Sequence, residues 1–188
     1  APINDLMNRF IMANPSEVEI LSGSELKLED VEIKILDLPG HSVNQKGFLV
    51  DGTAFVADTL FPDNFFRKQR LPFTYDPHAH LQTLEKLRNL SARIYVGGHF
   101  TPTANIAGMI ASNQKHVEEA MKFMRELLKI PLSQERVVKA FLDHFGLKKI
   151  SWEYYLYRAT VNGYLSSLYR RGEVKFRVLD NLAVWYAV

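Results

Sequence analysis

The sequence predicts an α/β protein that ends in a small α+β module, and three patterns carry that expectation. Apolar and charged residues alternate over 31–38, and short apolar runs at 47–50 and 53–57 continue the strand signal. Over 75–90 the pattern switches to helical spacing, with Leu81, Leu84, Leu87 and Leu90 three apart. Beyond about residue 112, helical stretches precede a final pair of alternating strands.

The elements follow in order. Residues 16–30 read as strand and turn: a run at 18–21, then Ser22-Gly23-Ser24, then Leu26 and Leu28 set between charges. Over 31–38, Val31, Ile33 and Ile35 against Glu32 and Lys34 predict a half-buried strand. Asp51-Gly52 between two apolar runs predicts a hairpin, because Asp-Gly tolerates the left-handed backbone of a two-residue turn. Pro77 suits the first turn of the helix over 75–90, and 92–96 returns to strand. The next helix spans 112–129 with Val117, Met121, Met124 and Leu128 on one face, and Pro131 interrupts it. Ser133 with Glu135 and Arg136 opens another, carrying Val137, Val138, Phe141 and Leu142. Two short helices are expected at 151–157 and 160–171, closed by Gly172. Strands at 174–179 and 183–188 flank Asp180-Asn181. Three helices and a terminal hairpin form a winged-helix pattern, so residues 131–188 are expected to be a separate module after a first unit over 1–130.

Composition bounds the chemistry. With 188 residues, 47% hydrophobic and 23% charged, the chain has an ordinary globular makeup. A net charge of +2 leaves no footprint for a polyanion and argues against nucleic acid as a partner. The chain has no cysteine, which excludes disulfides and thiolate ligands and leaves His, Asp and Glu for any metal. No stretch reads as a signal peptide or a membrane span, so a cytoplasmic location without membrane contact is expected. The chain opens on Ala1-Pro2-Ile3-Asn4-Asp5 without an initiator Met, which fits processing or a piece of something longer.

Three loops hold metal-capable side chains, the first and third of them beside glycine: Leu38-Pro39-Gly40-His41-Ser42, Val56-Ala57-Asp58-Thr59-Leu60-Phe61 and Val96-Gly97-Gly98-His99. Each adjoins an apolar run, which puts all three at strand ends. In this order, with the helix Leu81-Gln82-Thr83-Leu84-Glu85-Lys86-Leu87 before the last, the chain resembles the metallo-β-lactamase superfamily, in particular its glyoxalase II-like hydrolase branch. The resemblance covers residues 16–102 well and continues more loosely through the C-terminal helices and wing. It implies the C-terminal part of an αββα sandwich, followed by the winged-helix-like module.

The resemblance also implies a site and an activity. His41 would be the third histidine on one metal ion, Asp58 would bridge two ions, and His99 would ligate the second. Imidazole nitrogen and carboxylate oxygen suit zinc at about 2 Å, with iron or manganese as substitutes. Two cations about 3.5–4 Å apart would acidify a bridging water and polarise an ester, thioester or phosphodiester in a small-molecule substrate. Gly40 and Gly97-Gly98 are expected to give the tight turns that aim the following histidines.

One motif of the family is missing. A His-x-His-x-Asp-His segment should precede His41, and no histidine precedes it here. The chain is therefore expected to carry half of the ligands, to be inactive alone, and to need its N-terminal half, another chain or a second copy of itself. Two alternatives stand beside the hydrolase: a degenerate member acting as a binding or structural module, and a mononuclear iron oxygenase acting on a thiol or persulfide.

Simpler readings exist residue by residue. His41 can be a turn histidine, Asp58 a cap and His99 a hydrogen-bonding loop residue. His78 and His80 are expected to face solvent at a helix entrance, and His116 and His144 to be surface or packing residues. Tyr154, Tyr155, Tyr157, Tyr164 and Tyr169 are expected to serve in packing. Arg170-Arg171 suits a helix C-terminus.

Overall fold

Two hairpin turns set the register of the two sheets. Asp51 and Gly52 have φ of 45° and 72°, and Asp180 and Asn181 have 48° and 60°. Positive φ at both central residues matches the right-handed twist of the strands they join. The computed structural model describes residues 23–147 and 152–188; the strand expected at 18–21 and the helix start expected at 151 lie outside them.

The first sheet contains β1 (Glu25–Leu28), β2 (Val31–Asp37), β3 (Lys46–Val50), β4 (Thr53–Ala57) and β5 (Ile94–Gly97), in that spatial order. All neighbours are antiparallel except β4 and β5, which are parallel. Between those two run α1 (Asp63–Gln69) and α2 (Pro77–Arg88). After β5 come α3 (Ala107–Leu127), β6 (Leu132–Ser133), α4 (Gln134–His144) and α5 (Trp152–Arg170). The closing hairpin, β7 (Val174–Leu179) and β8 (Leu182–Ala187), joins β6 in a second sheet of order β6-β8-β7.

Three local expectations are corrected. The stretch 151–171 is one continuous helix from Trp152 to Arg170, because Arg158-Ala159 carries no helix breaker. α1 has no counterpart in the sequence reading; its seven residues are too few to show periodicity. α3 starts at Ala107 rather than near residue 112, after a turn in which the Asn105 side chain accepts from Ala107 N.

The core has two parts. Leu36, Leu38, Ala54, Val56 and Tyr95 on one face of the first sheet pack against Leu84 and Leu87 of α2 and Ile106 and Ile110. The second part gathers the later residues of α3 with α4, α5 and Val174; Tyr157 and Tyr164 lie inside it, and Leu81 packs against both parts. Tyr155 and Tyr169 are exposed, so only some of the tyrosines serve the packing expected of them. The opposite face of the first sheet carries two rows across the strands, apolar but for Thr53: Ile35, Phe48, Phe55 and Val96, and Ile33, Val50, Thr53 and Ile94. Phe48, Phe55 and Ile94 on that face are 38%, 44% and 38% exposed. Among the described residues no helix is long and apolar enough to cross a membrane.

Candidate metal centre

The three loops picked out in the sequence meet at the ends of β2, β4 and β5. Asp58 lies between two imidazoles: its Oδ2 is 3.6 Å from His41 Nε2 and its Oδ1 is 3.4 Å from His99 Nε2. All three side chains are partly open, at 22% for His41, 38% for Asp58 and 40% for His99. The contacts are pairwise. Among the described residues, no group of three or more His, Asp or Glu side chains stands ready to hold a metal ion.

Each loop has its own means of aiming its side chain. Gly40 has φ of 139°, and a Cβ there would lie 2.5 Å from the Cα of His80, so only glycine fits. A register irregularity falls between Phe55 and Ala57, and Ala57 takes φ of 47° immediately before Asp58. Gly97 and Gly98 act differently from expectation. Neither has positive φ; they provide space. A Cβ at Gly98 would meet Asp58 Oδ1 at 2.1 Å, and one at Gly97 would meet the Phe100 ring at 2.1 Å. Gly98 N donates to Ala57 O at 3.0 Å, tying the β5 loop to the Asp58 loop.

The residues around these three were invisible to sequence reading. The His41 ring bonds through Nδ1 to the Phe73 carbonyl at 2.9 Å. A carbonyl can only accept, so Nδ1 carries the proton and the Nε2 lone pair is left facing Asp58. Burial holds the His41 imidazole below its usual range, with the Asp58 carboxylate pulling the other way. A neutral imidazole is the form that ligates a metal. The ring packs edge-on to Phe73 at 5.5 Å, while the His99 ring stacks on Phe61 at 4.9 Å. Phe61 is fixed by buried Asn113, whose Oδ1 accepts from Phe61 N at 3.1 Å and whose Nδ2 donates to Phe61 O at 2.7 Å. Gln45 Nε2 donates to Thr59 Oγ1 at 2.7 Å and so ties the His41 loop to the Asp58 loop. Backbone acceptors and buried amides on loops or helices leave no motif behind, so none of these could be read in advance.

The other histidines stand apart. His80 is 3% exposed, which overturns the expectation that it faces solvent. It lies against Gly40, and its Nδ1 is buried without a hydrogen-bond partner. Burial, aided by His41, lowers it to about 4. His78 meets Gln82 and Arg171. His116 stacks on Phe66 at 3.7 Å and His144 on Phe123 at 3.8 Å, both as packing residues. Beside His99, a shallow groove of about 700 Å³ is lined by Pro62, Asn64, Phe100, Thr101 and Pro102.

With this geometry in hand, similarity to known proteins becomes informative. No family model matches the chain. A hydroxyacylglutathione hydrolase of Xanthomonas euvesicatoria pv. vesicatoria (strain 85-10) is 31% identical over 132 residues, covering 64% of this chain and 49% of that protein. Its counterpart in Xanthomonas axonopodis pv. citri (strain 306) gives the same figures. The chain spans about half the length of these curated relatives. Among solved structures, a β-lactamase domain protein from Burkholderia ambifaria superposes with a TM-score of 0.76 at 15% identity, over 100% of this chain and 57% of that one. A metallo-β-lactamase family protein from Thermus thermophilus gives 0.67 at 17% identity, over 93% and 55%. The fold is therefore the mixed α/β fold of the metallo-β-lactamases. Fold and sequence together support a metallo-β-lactamase superfamily member, glyoxalase II-like.

Proposed function

We propose that this chain is part of a metal-dependent hydrolase and supplies His41, Asp58 and His99 to its metal centre. The observation that carries this reading is the Asp58 carboxylate, with one oxygen toward each of two imidazole Nε2 atoms. An anion with two oxygens set between two imidazole nitrogens is the chemistry of a bridging ligand. The space kept by Gly98 supports it, since any larger residue would displace the oxygen nearest His99.

The bound ions, zinc first and iron or manganese as substitutes, would supply a hydroxide at neutral pH and polarise the scissile carbonyl or phosphoryl group. The chain's own residues do the rest. Phe73 fixes the His41 tautomer, Phe61 and Asn113 hold the His99 ring, and the groove beside His99 receives the substrate against a surface without cations. The substrate class of this reading is an ester or thioester of a small molecule, with a phosphodiester as the alternative; the hydrolase activity named for the Xanthomonas relatives supports it.

The donor set is half of what a dinuclear site needs. The two apolar rows on the open face of the first sheet, and the share of the Burkholderia chain left uncovered, support a partner that brings the rest. We propose that this partner is an N-terminal half, on the same or another polypeptide, with self-association when it is missing. With 151–171 a single helix, a three-helix winged pattern needs α3 beside α4 and α5, so the order α3, β6, α4, α5, β7, β8 supports a winged-helix-like arrangement in which the units proposed at 1–130 and 131–188 share the core formed by α3. A cytoplasmic location accompanies this reading.

Zinc titration by calorimetry tests the metal reading. The parent chain should bind zinc, and Asp58→Ala should lose that binding at unchanged melting temperature. A second reading, a binding or structural module without metal, is favoured by the lack of a ready set of three ligands among the described residues. It prevails if the parent takes up no zinc, iron or manganese. Uptake of a single iron in preference to zinc would instead favour the thiol or persulfide oxygenase.

A further inference from the structure

Resting on the metal reading above, we infer that α5 is the positioning device for His41, acting through the segment 69–76, with Gly163 and Tyr157 as its positioning residues. The segment is held on both sides. Facing the site, Phe73 O bonds His41 Nδ1 at 2.9 Å, and Tyr75 N and Asp76 N both donate to Gly40 O at 2.9 Å. Two donors on the carbonyl next to His41 and one acceptor on its ring fix both the backbone and the ring of this residue. Thr83 Oγ1 adds a bond to Pro39 O at 2.7 Å.

Facing away from the site, the same segment lies on α5. Tyr157 Oη donates toward Gln69 O at 3.2 Å and Leu71 O at 3.1 Å. Its hydroxyl is pushed up to about 12, chiefly by burial, so it stays a donor at every working pH. Gly163 has no room for a side chain: a Cβ there would lie 2.5 Å from Tyr75 O and 2.7 Å from Thr74 O. The helix backbone is thus packed directly on the 74–75 backbone. At the helix end, Arg170 pairs with Asp76 at 2.5 Å, and Arg171 meets His78 at 3.2 Å.

A glycine in mid-helix is disfavoured relative to alanine, so an exposed position would gain from Gly→Ala. Here the close approach explains its presence. A methyl group at residue 163 must push 74–75 outward, and the neighbouring Phe73 carbonyl moves with it. His41 then loses its acceptor while Asp58 and His99, held by β4 and β5, stay where they are. Groups that orient a ligand imidazole in this way typically change metal affinity by about 10–100-fold when removed.

Long-range proton–nitrogen NMR of the histidine rings in the metal-free 188-residue chain tests this without any bound ion. The parent should show His41 as the Nδ1-protonated tautomer. Gly163→Ala should abolish that signature, and Tyr157→Phe, which keeps the packing, should weaken it, while the His144 ring stays unchanged in both. Zinc affinity should fall about 10-fold in Gly163→Ala. An unchanged His41 ring in both variants overturns the inference, and so does a shift shared equally by His144, which marks general loss of structure. If the tautomer changes but neither parent nor variant binds zinc, the positioning holds and the metal reading fails.

Discussion

The two faces of the first sheet alternate along the same strands yet live in different surroundings. Val56 is fully buried beneath α2 and α3, while its neighbour Phe55 is 44% exposed on the other side. The covered face has its helices, its hydrogen-bonded loops and the inner ends of the metal-site residues. The open face has aligned apolar rows with no described element upon them. Apolar rows in register across four strands resemble the inner face of a sandwich more than a solvated surface. Both faces are thus built of aligned apolar side chains, but among the described residues only one of them has a cover. Exposed contiguous apolar surface is the property that would suit the partner proposed above.

Paired substitutions at adjacent positions break or confirm that contrast most sharply. Val56→Asp buries an unpaired charge in the sheet core and should cost more than about 4 kcal/mol, enough to unfold the chain. Phe55→Asp, one residue away, should cost less than about 1 kcal/mol and raise solubility. Denaturant unfolding of both proteins checks this. Equal destabilisation would mean that the open face is covered in solution, and size-exclusion chromatography would then show a dimer that Phe55→Asp dissolves.

The covered side should also carry a pH dependence that the open side lacks. His80 is buried under Gly40 with its folded value lowered to about 4, against about 6.5 when unfolded. The unfolded state therefore binds the extra proton first. The stabilisation is complete above about pH 6.5 and is lost as pH falls toward about 4. The difference corresponds to roughly 3 kcal/mol at full loss. His41, whose folded value is also lowered by burial, adds in the same direction. Chemical denaturation between pH 7 and pH 4 should show the decline, and His80→Gln should flatten most of it. An unflattened profile would place the titrating group elsewhere.

How much of this was legible beforehand depends on the kind of signal. β2 announced itself by alternation, and Asp51-Gly52 and Asp180-Asn181 by the rarity of residues that accept left-handed backbone. His41 and His99 were legible because each follows a glycine in a short loop after an apolar run, and Asp58 because it directly follows the apolar run of β4. The reason for Gly97 and Gly98 was not, since lack of space leaves the same letter in the sequence as positive φ. α1 was too short for periodicity, and Phe73 acts through its carbonyl, which every residue has. His80 looked exposed beside His78, and only the approach of Gly40 buries it. The absent motif pointed to a missing partner, but the residues that line the open face of the sheet became known only from the register.

The smallest effect concerns how α2 is fastened over the covered face. Asp76 caps that helix, its Oδ1 accepting from His78 N at 3.0 Å and Ala79 N at 3.2 Å, while Oδ2 pairs with Arg170. Asp76→Ala should cost about 1 kcal/mol, the usual value of a lost cap. Asp76→Asn keeps the cap and removes the charge, so it should cost only the partly exposed ion pair, a few tenths of a kcal/mol. The gap between the two variants in urea melts therefore separates cap from pair. If Asn costs as much as Ala, the Arg170 pair rather than the cap fastens α2, and raising salt should then erase the difference from the parent. If both cost nothing, the packing of Leu84 and Leu87 alone keeps the helix on the sheet, and the covered face owes its order to apolar contact only.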